Sequence, residues 1–200
     1  MKWDVNDFAT GLAILLFINA EDYVNSFMGS KEVLKGLGIE KNDKEQLVNE
    51  LMIIRLYYTG LIILDAKKNL IEDISLRDKV LALMYEFFID RIREALGEEK
   101  VNSLNKLLHQ RCIEYDEARE KDYWKREEAK REGIDPNFPW DTWLQLMFKN
   151  LTQGQEWTPD RAMFFVKSMK EQVDDITKLV ENYFELYSKN MDPYDTHDTL

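Results

Sequence analysis

Apolar residues recur at three- and four-residue spacing along the long stretches of this chain, and that period predicts helices nearly throughout. In the first stretch, Phe8, Leu12, Leu15, Leu16, Ile18 and Tyr23 leave little of the circumference polar. A helix is expected there from Asp4 or Asn6 to about Met28, stopped by Gly29 and Ser30. A short helix over 31–37 follows, with Gly36 and Gly38 ending it. Asn42 or Asp43 can cap the next helix, expected over 43–68. Its body is apolar on nearly every side between Leu51 and Leu64, so it belongs in the middle of a bundle. The competing reading splits this run into two buried strands at Thr59-Gly60, because Ile and Tyr favour sheets. Length and the polar caps favour the helix.

Ser75 followed by Asp78 resembles a capping box for the fourth helix. Lys79, Ala82, Glu86, Asp90 and Arg93 then form a polar stripe opposite Val80, Leu83, Met84, Phe87, Phe88 and Ile92, and Gly97 stands at the C-terminal cap. The fifth helix changes character along its length. Val101, Leu104, Leu108, Cys112 and Tyr115 continue a core stripe, but 14 of the 19 residues over 114–132 are charged, with both signs mixed. A helix is expected that packs on the bundle to about Tyr115 and then runs along or beyond its surface. Residues 133–142, with Pro136 and Pro139, read as a linker rich in proline and aromatic residues. A short helix from about Trp140 to Leu151 buries Trp143, Leu144, Met147 and Leu151. Thr158-Pro159 starts the last helix, which runs to about Lys189, and 191–200 is a polar tail.

The fold so predicted is all-α, an antiparallel helical bundle of about five long helices plus two short ones. The central buried helix lies near 43–68, within a single helical domain over 1–190. Composition narrows the function classes. One cysteine in 200 residues rules out an intramolecular disulfide. A net charge of −11, spread through both halves, repels nucleic acid and anionic lipid, so neither is an expected partner. The longest apolar run, 51–64, is interrupted by Arg55 and is shorter than the roughly 20 residues of a membrane span. Asp4 and Asp7 precede the first apolar run, unlike the basic start of a signal peptide, and the expected location is cytoplasmic.

Candidate chemistry is sparse. His109, Cys112 and Asp116 share one helix face, and their side chains are zinc-ligand types, but a structural site needs four ligands. Glu117 with Glu120, and Glu171 with Asp174, pair acids at the spacing that helical hydrolases use to hold magnesium. Neither histidine has the Glu three residues earlier that a di-iron bundle requires. No glycine-rich phosphate loop, serine nucleophile motif or zinc-finger spacing occurs. No catalytic, metal or cofactor residue is therefore assigned. Arg55, inside the most apolar helix, reads as a buried polar site paired with a carboxylate. Tyr115, Tyr123, Trp124, Phe138, Trp140, Trp143 and Trp157 are the candidate interaction surface, since large rings near loops and charged helices supply contact energy. These features predict a protein–protein interaction protein, such as a scaffold, adaptor, chaperone-like or regulatory protein, that self-associates or binds a protein partner. The alternatives are a magnesium-dependent helical hydrolase and a binder of an apolar small molecule between helices.

Overall fold

The computed structural model describes residues 5–39, 43–64, 71, 73–133 and 142–190. Seven helices account for nearly all of them, and no strand occurs among the described residues. Five are long: α1 (Val5–Gly29), α3 (Lys44–Leu64), α4 (Ile74–Leu96), α5 (Glu98–Arg131) and α7 (Pro159–Asn190). Two are short, α2 (Lys31–Leu37) and α6 (Thr142–Leu151). This is the all-α bundle that the hydrophobic period predicts. Phe138, Trp140, the segment 65–68 and the tail 191–200 fall outside the described residues.

Local signals place most of the ends. Ser30 accepts a hydrogen bond from the Val33 amide at the start of α2. Gly38, in the left-handed region at φ 74°, closes that helix. Gly36 does not end α2 but lies within it. A Cβ there would stand 3.0 Å from the ring of Phe164, so the missing side chain lets α2 approach α7 closely. Asp43 Oδ1 caps α3 by accepting from the Gln46 amide at 2.9 Å. The capping box at Ser75 is not used. α4 begins at Ile74, two residues earlier than a Ser75 cap would place it, and Asp73 Oδ1 accepts from the Leu76 amide. Thr158 caps α7 directly before Pro159, as the sequence signal requires.

α3 is the centre of the bundle. Every residue from Leu51 to Gly60 is buried, and the helix runs unbroken through Thr59-Gly60, where the strand reading would divide it. Helices α1, α4, α5, α6 and α7 all pack against it. By length and composition α3 is apolar enough to cross a membrane, and 78% of that stretch is buried inside the bundle, as a core helix would be. The most extensive helix pairing among the described residues is α1 with α4. At one end of α1, Phe8 meets the rings of Tyr183, Phe184 and Tyr187 on α7, all within 5.1 Å between centroids.

Two charges stand inside this apolar helix and are handled differently. Glu50 is 1% exposed, and Arg111 of α5 grips it in a forked arrangement, with Nε and Nη2 donating to Oε1 at 3.0 and 2.8 Å. The remaining Arg111 nitrogen, Nη1, donates to Glu114 Oε2 at 2.8 Å. A guanidinium saturated on both sides by carboxylates meets the geometric condition under which a buried ion pair is tolerated. Arg111→Met strands Glu50 without a counter-charge and is expected to cost about 3–5 kcal/mol in urea unfolding. The double variant Glu50→Leu/Arg111→Met removes both charges and should recover most of that loss. A double variant as unstable as the single would contradict this assignment.

Candidate interaction face on helix α5

α5 has 34 residues, a length of about 50 Å at 1.5 Å per residue, against 23 for its neighbour α4. Its inner seam does not stop at Tyr115. Leu104, Leu108, Tyr115, Ala118 and Asp122 are all buried, so the packed face runs seven residues past Tyr115. The partner that permits this is α6. The Trp143 ring lies 5.6 Å from that of Tyr58, and Asn150 Nδ2 donates to the Tyr115 hydroxyl. Asp122 Oδ2 accepts from the Trp143 amide at 3.2 Å, which lends α6 a capping carboxylate from another helix.

The outer face of the same helix is open. Ile113, Tyr123 and Trp124 are 46%, 56% and 57% exposed. The two rings meet edge to face at 5.3 Å, and Trp124 Nε1 reaches Glu120 at 3.5 Å. A concavity of about 620 Å³ runs along this face, lined by Ile113, Asp116, Glu117, Arg119, Glu120 and Tyr123. Arg119 faces Asp116 at 3.3 Å, and Asp116 also accepts from the Tyr57 hydroxyl at 2.7 Å.

The candidate interaction residues therefore separate. Tyr123 and Trp124 lie on the outer face. Tyr115 is fully buried in the seam, where its ring meets that of Tyr57. Trp143 and Trp157 are half-buried, the latter packed on Phe148 and Phe165. The sequence reading missed Glu50, Arg111 and Asp122. The last two share a helical register with Leu104, Leu108, Tyr115 and Ala118, and that register is the signal that could have revealed them.

The metal candidates diverge. His109 is exposed, Cys112 is half-buried, and Asp116 is engaged by Tyr57 and Arg119. Burial pushes the Cys112 thiol up, and a hydrogen bond with Tyr85 only partly opposes this, so the nucleophilic thiolate is disfavoured. Among the described residues, no three His, Cys, Asp or Glu side chains are arranged to hold a metal ion. Tyr57 and Tyr58 are core side chains, and none of the described concavities is lined by them or by Phe87.

Arg55 is buried as predicted, at 1% exposure, but its partners are neutral. Nη1 donates to the Gln172 carbonyl at 3.1 Å, Nη2 donates to Asn19 Oδ1, and the Tyr23 ring lies 4.9 Å from the guanidinium carbon. No carboxylate among the described residues pairs with it. The physical reason is placement: Arg55 faces the junction of α1 and α7, where Asn19, Tyr23, Ser168 and Gln172 supply amides and hydroxyls. Burial lowers its pKa to about 10, opposed in part by Tyr23 and by the carboxylate of Asp175, which is not in ion-pair contact with it.

A comparison of the chain with family models finds no match, and comparisons with curated proteins and with solved structures find no significant one.

Two outcomes follow from these environments. A buried cation without a counter-charge adds little stability, so Arg55→Met should lie within about 1 kcal/mol of the parent or above it. A loss beyond about 3 kcal/mol would show that the guanidinium is fully compensated. Tyrosines set the response to base. Burial raises Tyr23 to about 12 and pushes Tyr57, Tyr58, Tyr85 and Tyr115 up as well. The native state holds these protons more tightly than the unfolded chain, whose tyrosines ionise near pH 10. Their stabilisation is complete below about pH 10; Tyr23's share is lost between about 10 and 12, and that of the other four declines from about pH 10 upward. Tyrosinate absorbance should therefore rise together with loss of the helical circular dichroism signal. Full ionisation with the helices intact would contradict the burial of these rings.

Proposed function

We propose that the protein is an interaction module, an adaptor or scaffold, whose contact surface is the outer face of the second half of α5. The observation that carries this reading is the Tyr123–Trp124 pair, more than half exposed on a helix whose other side is already packed. Each ring has on the order of 200 Å² to bury. Covering what remains exposed yields about 5 kcal/mol gross at 25 cal/mol per Å², before the cost of association. Neighbouring charges of mixed sign would fix orientation, and the rings would supply the energy.

If the rings serve a partner and not the fold, Tyr123→Ala/Trp124→Ala should change stability by no more than about 0.5–1 kcal/mol, the range of surface substitutions. Thermal unfolding checks this. A loss of 2 kcal/mol or more would make the pair structural and remove the basis of the reading. Light scattering over a concentration series, on the parent and this variant, separates contact between copies from contact with another protein.

A further inference from the structure

Ile113, Glu117, Glu120 and Trp124 stand at i, i+4, i+7 and i+11 on α5, one straight stripe about 16 Å long. Its ends are apolar and its middle is acidic. Among the described residues these acids have no ion-pair partner: Arg119, the one described cation lining the concavity, faces Asp116, and no described cation lies within 4 Å of Glu117 or Glu120, the latter reached only by the Trp124 indole. The chain as a whole carries −11. Resting on the interaction reading above, we propose that this groove takes a basic amphipathic helix from another protein. Its two cations would lie over Glu117 and Glu120, and its flanking apolar side chains would cover Ile113 and the Tyr123–Trp124 pair.

A second copy of the chain fits the groove badly. An antiparallel α5 that lays Ile113 on Trp124 also lays Glu117 on Glu120, because both pairs share one midpoint. A parallel α5 sets each glutamate against its own counterpart. Both arrangements bring like charges together where the apolar ends meet, and like charges facing across an interface exclude a partner. A helix with the order apolar–basic–basic–apolar at the same spacing satisfies the stripe in either direction.

The test is titration calorimetry of the full chain with a lactam-locked helical peptide of about 12 residues. It carries leucine at each end and two lysines at the i+4 and i+7 positions, on an alanine–glutamine background. A companion peptide carries glutamates in place of the lysines. The lysine peptide should bind, more weakly as salt rises, and the glutamate peptide should not. Glu117→Gln/Glu120→Gln should weaken binding at least about tenfold, as should Tyr123→Ala/Trp124→Ala. Asp174→Asn/Glu181→Gln makes the same change in net charge on exposed positions of α7 and should leave affinity within about twofold. Equal losses in the two glutamine-type variants would reduce the effect to net charge and overturn the proposal. If the lysine peptide fails to bind while the parent forms an oligomer abolished by Tyr123→Ala/Trp124→Ala, this proposal falls and the interaction reading stands. A monomer that binds neither peptide overturns this proposal, and a loss of 2 kcal/mol or more in Tyr123→Ala/Trp124→Ala overturns the interaction reading with it.

Discussion

From Leu51 to Gly60 no side of α3 faces water, so every neighbouring helix has to present an apolar stripe to it. Five helices do, and the architecture follows from that enclosure. A helix of this composition left partly uncovered would expose Ile, Leu and Tyr side chains worth about 1.5–3 kcal/mol each. The connections, caps and glycines then serve to bring the covering helices into place. Gly36 lets α2 lie close to α7, and Asp122 fixes the start of α6 where Trp143 can pack on Tyr58.

Enclosure also dictates what happens to the polar atoms that α3 carries inward. Glu50 meets a guanidinium from α5, whereas Arg55 meets amides, a carbonyl and a ring from α1 and α7. The first arrangement joins α3 to α5 with opposite charges, and its loss on one side leaves a buried ion. The second holds a cation among neutral groups and joins α3 to both α1 and α7. Because α5 must reach Glu50 with Arg111 and α6 with Asp122, its inner side is committed along most of its length. Its outer side takes no part in enclosing α3, and that is where Ile113, Tyr123 and Trp124 stand exposed.

The helices themselves were legible because burial follows the 3.6-residue period, and caps such as Asp43, Thr158 and Gly38 mark the ends locally. Ser75 misled because a capping box depends on where the helix begins, and Asp73, two residues earlier, competes for the same role. The charged run over 114–132 reads as running along or beyond the bundle surface because its composition is polar. Composition hides that Tyr115, Ala118 and Asp122 keep the register of Leu104 and Leu108. The register marks Asp122 as inward, but its partner is the Trp143 amide at the start of α6, across the linker, and the register does not name that contact. Arg55 was legible as buried but not in its partners, since Asn19 and Gln172 are supplied by distant helices. Tyr123 and Trp124 were found as rings in a charged helix, and Tyr115 was grouped with them until its inward register separated it.

Native-state hydrogen exchange on the purified full chain tests the enclosure of α3 most directly. If the five surrounding helices protect it as one unit, the amides of residues 51–60 exchange only through global unfolding. Their free energies of opening then coincide with one another and with the stability measured by urea. Opening of these amides at free energies well below the global value, or before those of α4 and α7, would contradict the account.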